Sequence, residues 1–600
     1  MHIEIAVAQF RPVKGKPAAS LDRIEDSFAR LLERESVPDV VVYPETALTG
    51  YFLEGGVREH AVTAMSLASD LAERYERAGG GGRPLDVVLG FYEVWGHRLY
   101  NSAMYVEMGT TEPRIVHVHR KVFLPTYGVF QEERFVEAGH AVRAFDTRWG
   151  RAAMLICEDL FHSISATLAA LDGAQILLVP SASPARGAQP GTGVPSNLGR
   201  WRRLAQGAAE EHGVGVAVSQ LTGFEGGKGF AGGSLVFGPR GQLLAEGPLW
   251  DEAVIDTGLD LEELTAARTD QPLLADLERA LPRLLQSRHL PPMEDGFPPT
   301  RPEATTASED EGEWAGRPPR AGMSGAMDPS LVAIDPELVG DWLVRFLRDE
   351  MLVRRGFERA VIGLSGGVDS ALTAALCARA LGPENVTGFL LPYRTSSPES
   401  ADHAMLVAGS LGIGTRTIDI SDAVDGYLEN EEPDADPTRR GNVMARQRMI
   451  VLFDQSASLR ALPIGTGNKS ERLLGYFTWH ADDSPPFNPL GDLYKTQVWT
   501  LARHLGLPSE VVDKPATADL IHGQTDEDDL GVSYPEADLI LHHLLNGRSP
   551  AWLAEAGFEP AKVDIVFRRL EGTHWKRNLP TVAMLSGTTI GEWYLRPVDY

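Results

Sequence analysis

The 600-residue chain contains very little cysteine: Cys157 and Cys377 are the only two. Two thiols this far apart exclude the disulfide framework that small secreted proteins use. Their scarcity indicates a reducing compartment, so we expect a cytoplasmic protein in which each thiol needs its own explanation.

Long apolar runs and positive charge are also scarce. No stretch approaches the ~18 apolar residues of a membrane span, and the opening MHIEIAVAQF lacks the basic and apolar regions of a signal peptide. The 56 Lys and Arg stand against 83 Asp and Glu, for a formal net charge of −27. This balance argues against a general nucleic-acid or membrane-surface binder, although a local basic site could exist inside an acidic shell.

Hydrophobic residues make up 43% of the chain, enough for real cores in several domains. Residues 286–330 are instead rich in Pro, Gly and acids without periodicity, and such a segment cannot offset its ordering entropy by burial. We predict a flexible linker there, between domains at 1–285 and 331–600. Apolar runs alternating with helical patterns predict an α/β fold in both domains. RAVIGL at 359–364 begins the second series and predicts a doubly wound, Rossmann-like parallel sheet.

The most specific motif is VIGLSGGVDS at 361–370, a buried strand followed by a glycine-rich turn and a helix. Glycine lets backbone amides approach an anion, and the helix N-terminus adds partial positive charge. Asp369 would repel a phosphate unless a divalent cation lay between them, so we predict Mg²⁺. An ordinary strand-to-helix turn is the alternative. The predicted phosphate-loop residues are Ser365, Gly366, Gly367, Asp369 and Ser370.

This motif resembles the pyrophosphate loop of the ATP-pyrophosphatase superfamily. Within that superfamily, GNVMARQRM, GTGNKSERLLGYFT, NPLGDLYKTQ and KPATADLIHGQTDEDDLG resemble the blocks of NAD⁺ synthetase across roughly 340–580. The resemblance implies ATP as substrate, with Lys495 and Thr517 at its phosphates and Asp369 and Glu471 on Mg²⁺. It also implies deamido-NAD⁺ contacts at Asn442, Arg446 and Lys576.

Two positions depart from that family. Pro486 stands where the family usually has an acid, so Asp482 or Asp483 is the expected substitute. Trp575 interrupts the family's His-Lys pair, and Lys576 could equally belong to a surface basic cluster.

The first domain resembles the nitrilase superfamily, which implies an α-β-β-α sandwich with a Glu-Lys-Cys site. VVYPETALTGY supplies Glu45, HRKVFLPTYGVF supplies Lys121 and MLICEDLF supplies Cys157, with Glu132 of VFQEERF as the second glutamate. All three motifs end predicted strands, where an α/β sheet can bring side chains together. In related glutaminase domains the glutamine pocket matches Tyr127, Glu158, Phe161 and Ser183.

The chemistry of these groups suits amide hydrolysis. Cys157 would be the nucleophile, Glu45 its proton acceptor, and Lys121 with the backbone N–H after the cysteine the oxyanion donors. A buried cysteine is more often a small core residue, which is our interpretation of Cys377. The three motifs together favour the catalytic interpretation of Cys157.

We therefore expect a glutamine-hydrolysing NAD⁺ synthetase, assembled as a homodimer or higher homo-oligomer as the resemblance implies. Three alternatives stay open. The chain could be another ATP-pyrophosphatase amidotransferase, an ammonia-dependent synthetase whose nitrilase domain serves assembly only, or a nucleotide-sensing scaffold.

Overall fold

A computed structural model describes residues 2–109, 112–287, 325–517, 525–578, 583 and 585. Contacts divide the described chain into two units, the first with residues 2–187, 194–287, 583 and 585 and the second with 188–193 and 325–578. The last helix of the first unit ends at Ser287, past the predicted boundary at 285. Most of the predicted linker, 288–324, lies outside the described residues.

Two six-stranded sheets form the first unit, ordered β14-β1-β2-β3-β4-β5 and β13-β12-β9-β8-β7-β6, with a separate β10-β11 hairpin. The strands are β1 (His2–Gln9), β2 (Val40–Val42), β3 (Leu85–Trp95), β4 (Arg98–Met108), β5 (Arg114–Arg120), β6 (Ala144–Thr147), β7 (Gly150–Met154), β8 (Ile176–Ser181), β9 (Gly215–Gln220), β10 (Thr222–Glu225), β11 (Lys228–Ala231), β12 (Leu235–Phe237), β13 (Leu243–Glu246) and β14 (Ala253–Asp260).

Alternation along β2 shows how the layers stack. Val40 and Val42 pack into a core shared with Met154 and Leu178 of the other sheet, whereas Val41 belongs to a separate core that includes the helix residue Phe28. Successive side chains of a strand point to opposite faces, so the first sheet lies between a helix layer and the second sheet. The helices are α1 (Pro17–Leu32), α2 (Val57–His60), α3 (Ala64–Arg77), α4 (Ser163–Leu171), α5 (Ser196–His212), α6 (Leu261–Asp270) and α7 (Leu273–Ser287).

Helices α4 and α5 contribute Ala169 and Trp201 to the core of the second sheet, which completes an α-β-β-α sandwich. The predicted fold class of this half is confirmed. The position of Cys157 differs from the prediction, which put it at the end of a strand. The residue lies beyond the end of β7, at the start of a 3₁₀ turn, Cys157–Phe161.

A four-stranded parallel sheet, ordered β17-β16-β15-β18, forms the centre of the second unit. Ala360 and Ile362 of β15 face one core, and Val361 between them faces another, so helices cover both sides. The doubly wound parallel sheet is thus confirmed. Its strands are β15 (Ala360–Gly363), β16 (Val386–Leu390), β17 (Gly414–Thr417) and β18 (Leu462–Pro463).

The helices of the second unit carry most of the blocks identified from sequence. They are α8 (Pro336–Arg348), α9 (Val368–Leu381), α10 (Pro398–Leu411), α11 (Ser421–Glu431), α12 (Pro437–Leu459), α13 (Lys469–Leu473), α14 (Lys495–His504), α15 (Ser509–Val512), α16 (Asp526–Leu530), α17 (Tyr534–Leu545), α18 (Pro550–Glu555) and α19 (Pro560–Gly572). Throughout the described part of the chain, none of the helices has both the length and the apolarity that a membrane crossing requires.

Candidate active sites

The three candidate residues of the first unit come from two sheets, not from the edge of one. Glu45 follows β2 and Lys121 follows β5, both in the first sheet, while Cys157 follows β7 of the second. The expectation that a single sheet would bring them together is therefore wrong. The site depends on how the two sheets stack.

Lys121 is the centre of a buried charge network. Its Nζ donates to Glu45 Oε1 at 2.7 Å and to Glu132 Oε2 at 2.7 Å, and the lysine itself is 0% exposed. Burial alone would lower the pKa of Lys121, but the charges of Glu132, Glu45 and Cys157 raise it well above its usual value. The lysine therefore remains an ammonium, which is the form that stabilises an oxyanion.

Glu45 is fully buried, and its Oε2 accepts the Ala182 backbone N–H at 2.8 Å. Burial raises the pKa of Glu45, and so does the charge of Glu132, while the Lys121 ammonium opposes both. A carboxylate with a raised pKa is a better proton acceptor, as a general base must be.

Cys157 is 7% exposed and has a left-handed backbone, with φ of 46°, which is strained for a residue other than glycine. Burial raises the pKa of the Cys157 thiol well above its ordinary value, and the charge of Glu45 adds to this. Lys121 and the Ala182 amide act in the opposite direction. The resting group is the thiol, so its attack must be coupled to loss of its proton to a neighbouring base.

The acids that follow Cys157 in sequence bond to other groups. Glu158 Oε2 accepts the hydroxyl of Tyr127 at 2.7 Å, and Asp159 accepts backbone amides. Phe161 packs on Trp201 with ring centroids 4.8 Å apart. The structure thus brings Tyr127 and Glu158 of the predicted glutamine pocket together beside the cysteine.

The fourth residue predicted for that pocket has a different partner. Ser183 Oγ accepts a hydrogen bond from Asn197 Nδ2 at 3.2 Å, which ties it to the start of α5.

Two residues of this site escaped the sequence reasoning. Asn101 Nδ2 donates to Glu45 Oε1 at 2.7 Å and to Glu132 Oε1 at 2.5 Å, and the Tyr51 hydroxyl donates to Glu132 Oε2 at 3.1 Å. Asn101 lies in β4, a strand the apolar pattern did not indicate. The available signal in the sequence was an asparagine among the aliphatic and aromatic residues of LYNSAMYV.

The second unit contains a cavity of about 500 Å³. Most of the residues predicted to bind ATP line it, as does Asp526, which the sequence reasoning did not single out. The lining includes Ser365, Asp369, Ser370, Glu471, Lys495, Thr517 and Asp526.

The turn between β15 and α9 requires glycine at one position. Gly366 has φ of 78°, and a Cβ there would lie 2.2 Å from the carbonyl oxygen of Ser400. The backbone of the loop therefore packs directly on the start of α10, and this contact sets its position at the cavity.

Gly366→Ala should lower both stability and the affinity for ATP. Left-handed backbone costs alanine about 1–2 kcal/mol, and the clash with Ser400 should add about 1–3 kcal/mol. Gly412→Ala is the control, since Gly412 has φ of 69° but open space around its Cβ position. Denaturant unfolding and the KM for ATP measure the two effects. Equal losses in both variants would contradict the role of the Ser400 contact.

Lys495 lies between two carboxylates at the cavity wall. Its Nζ donates to Asp369 Oδ2 at 2.6 Å and to Glu471 Oε1 at 3.1 Å. Burial raises the pKa of Glu471 to about 7, against the charge of Lys495 and with the help of Asp369 and Asp526. Three carboxylates around one lysine leave an excess of negative charge that a further cation would relieve.

The residues here fit Mg²⁺. Within the described ranges, no group of three His, Cys, Asp or Glu side chains is arranged to hold a metal by itself. Mg²⁺ commonly binds through one or two carboxylates and completes its shell with water and phosphate oxygens. Asp369 and Glu471 supply two such carboxylates on the wall of this cavity.

The three residues predicted to contact deamido-NAD⁺ all bond to residues 475–479, the segment after α13. Lys576 Nζ donates to the carbonyls of Gly475 at 3.0 Å and Phe477 at 3.2 Å. Arg446 donates to the carbonyl of Trp479 at 3.2 Å, and Asn442 Oδ1 accepts the hydroxyl of Thr478 at 2.9 Å.

The inserted Trp575 packs edge-on against Trp479 of the same segment, with ring centroids 5.1 Å apart. Phe477 lines the cavity, so these residues hold part of its wall.

Both candidates for the missing acid at Pro486 line the cavity. Asp482 Oδ2 accepts the Thr478 backbone N–H at 2.9 Å. Asp483 Oδ1 is buried without a hydrogen-bond partner in the described part of the chain. Asp483 is thus the better candidate for a contact with a ligand.

Comparison with known families matches a different family to each of the two predicted domains. The carbon-nitrogen hydrolase family matches residues 4–269, and the NAD synthase family matches residues 340–580.

Individual proteins resemble part or all of the chain. An NH₃-dependent NAD⁺ synthetase of Trichlorobacter lovleyi is 48% identical over 262 residues, which are 44% of this chain and 95% of that protein. One of Chlorobaculum parvum is 48% identical over 267 residues, again 44% of this chain and 95% of that protein. Less than half of this chain therefore accounts for nearly all of these relatives.

Solved structures resemble the chain over its full length. A glutamine-dependent NAD⁺ synthetase of Acinetobacter baumannii, in complex with ADP, covers 100% of this chain and 98% of its own, with 22% identity and a TM-score of 0.67. One from Cytophaga hutchinsonii covers 96% and 93%, with 18% identity and a TM-score of 0.68. At this identity the likeness shows a shared fold.

Proposed function

The chain belongs to the NAD synthase family, and we propose that it makes NAD⁺ from deamido-NAD⁺ with ATP and with ammonia released from glutamine. One observation carries the glutamine part of the proposal. A buried Glu45–Lys121–Cys157 constellation lies in the half of the chain that matches the carbon-nitrogen hydrolase family. The chain is accordingly a carbon–nitrogen ligase with two catalytic centres.

The first centre hydrolyses the glutamine side-chain amide. The Cys157 thiol gives its proton to Glu45 as the sulfur attacks the amide carbon. Lys121 and the backbone N–H of Glu158 stabilise the oxyanion, and Glu45 returns the proton to the departing nitrogen. The C–N bond breaks to release ammonia, and water then hydrolyses the thioester to glutamate. Glu132 and Asn101 hold Glu45 and Lys121 in place.

The second centre joins that nitrogen to the dinucleotide. The nicotinate carboxylate attacks the α-phosphorus of ATP, pyrophosphate leaves, and ammonia displaces AMP from the acyl-adenylate. The loop at 365–370, Lys495 and Thr517 hold the phosphates at the cavity. Mg²⁺ held by Asp369 and Glu471 would neutralise charge on those phosphates. Asn442, Arg446 and Lys576 support the deamido-NAD⁺ site.

The remaining parts of the proposal rest on the composition of the chain and on the family resemblance. We assign residues 1–285 to the glutaminase domain, 286–330 to a linker and 331–600 to the synthetase domain. A homodimer or higher homo-oligomer in the cytoplasm completes the proposal, with no nucleic-acid or membrane partner.

Isotope transfer tests the proposal. Turnover with glutamine labelled with ¹⁵N in its side-chain amide, ATP and deamido-NAD⁺ should place ¹⁵N in the carboxamide of NAD⁺. Addition of unlabelled ammonium measures how much of the nitrogen exchanges with solution. Absence of label from the product, together with turnover on ammonium alone, would favour an ammonia-dependent synthetase whose first domain serves assembly.

A further inference from the structure

The carboxylate of Asp159, next to the glutaminase site, accepts four hydrogen bonds although it takes no part in the proposed reaction. Asp159 is 0% exposed. Its Oδ1 accepts the backbone N–H groups of Val122 and Phe123, both at 3.0 Å. Its Oδ2 accepts the backbone N–H of Ile156 at 3.0 Å and lies 2.8 Å from His119 Nε2. Because a carboxylate only accepts, His119 must carry its proton on Nε2.

These partners lie on both sides of the catalytic pair. His119 and Val122 flank Lys121 at the end of β5, in the first sheet, while Ile156 directly precedes Cys157, beyond β7 of the second sheet. A single buried group thus joins the backbone that carries the ammonium to the backbone that carries the thiol.

We propose that Asp159 is a positioning residue that sets the distance between Lys121 and Cys157. The inference rests on the proposed glutaminase reaction and adds a requirement to it. The oxyanion forms at the substrate carbon that the sulfur attacks. The ammonium therefore stabilises it only if the segments that carry Lys121 and Cys157 keep their relative position. A fully satisfied buried network is rigid, and a misplacement of about 1 Å at a reacting centre can cost about 10²-fold in rate.

The chemistry of the four partners makes aspartate hard to replace. Three of them are backbone N–H groups, which cannot become acceptors. In Asp159→Asn one oxygen becomes an NH₂ group, and either orientation of the amide points this donor at a backbone N–H. The variant keeps the shape of the side chain but breaks the bond to one of the two segments.

The experiment compares Asp159→Asn with wild type in the full-length chain. Steady-state rates are measured with glutamine and with ammonium, and active sites are counted by covalent titration with a diazoketone analogue of glutamine. We expect kcat per titrated site with glutamine to fall by about 100-fold at an unchanged KM, the loss that a misplacement of about 1 Å at a reacting centre can cause. Ammonium-supported turnover should stay at the wild-type level.

Asp86→Asn is the control for a purely structural effect. Asp86 is 1% exposed in the same unit and accepts from the Tyr105 hydroxyl at 2.5 Å and from Trp149 Nε1 at 3.2 Å, but it contacts no residue of the site. Loss of this carboxylate should lower the number of titrated sites at most, with kcat per site unchanged.

A pair of variants at His119 covers the case in which Asp159→Asn does not fold. His119→Gln can still donate to Asp159 and should keep most of the activity per site, whereas His119→Leu should lose it. Wild-type kcat per titrated site in Asp159→Asn, or equal rates in the two His119 variants, would overturn the proposal. Failure of the glutaminase proposal itself looks different, since wild type and Cys157→Ala would then use glutamine equally well.

Discussion

Cys157→Ala should abolish glutamine-supported NAD⁺ synthesis and leave ammonium-supported synthesis close to wild type. A methyl group cannot form the thioester, and loss of a catalytic nucleophile lowers the rate by about 10³-fold or more. The second centre keeps every contact among Lys495, Asp369 and Glu471, so ammonia from solution should still react. Steady-state rates of NAD⁺ formation with each nitrogen source, at saturating ATP, check the prediction.

The chain provides its own control in its other cysteine. Cys377 is 0% exposed in the apolar helix α9, and burial raises the pKa of its thiol to about 12. Cys377→Ala should lower the free energy of unfolding by about 1 kcal/mol while both activities remain. If Cys157→Ala still used glutamine, the nitrogen would reach NAD⁺ without this thiol, and the two-centre proposal would be wrong.

Local patterns predicted the second unit well. The loop at 365–367 is flanked by an apolar strand and a helix, and all three features are contiguous in sequence. Parallel strands joined by helices leave few possible topologies, so periodicity and turn chemistry were enough to predict the sheet.

The first unit was harder because its sheets are mixed. Strand β4 runs antiparallel between β3 and β5, and LYNSAMYV alternates too irregularly to indicate a strand. Asn101, the donor to both glutamates, was missed with it. Pairing between distant segments is set by tertiary packing, which a single sequence does not reveal.

The same limit applied to individual contacts in the candidate sites. A motif predicted a dinucleotide contact for Lys576, but its bonds to the carbonyls of Gly475 and Phe477 depend on a fold that joins positions about 100 residues apart. Three of the four hydrogen bonds of Asp159, those with His119, Val122 and Phe123, likewise join segments of different sheets. Residue types could be predicted from motifs, whereas their partners required the structure.

Lys495→Met should stop NAD⁺ synthesis from either nitrogen source. Loss of the ammonium leaves Asp369 and Glu471 side by side without a countercharge and removes the predicted phosphate contact. The pKa of Glu471, already raised to about 7 by burial, should rise further because Lys495 is the main group that opposes the shift. We expect a fall of about 10²–10³-fold in kcat with ammonium or with glutamine.

Two comparisons separate this effect from unfolding. Lys562→Met removes a lysine that pairs with Glu536 at 2.8 Å outside the cavity, and it should leave synthesis unchanged. Glutamine hydrolysis by the first unit, measured in the same Lys495→Met preparation, reports whether that unit is folded, and the denaturant unfolding curve reports whether the second unit is folded as well. Retained synthesis in Lys495→Met would mean that the two carboxylates act without the lysine, and the role given to the charged wall of the cavity would have to be withdrawn. Loss of synthesis with hydrolysis intact would instead assign the defect to the second centre, because the two reactions share a chain but not a site.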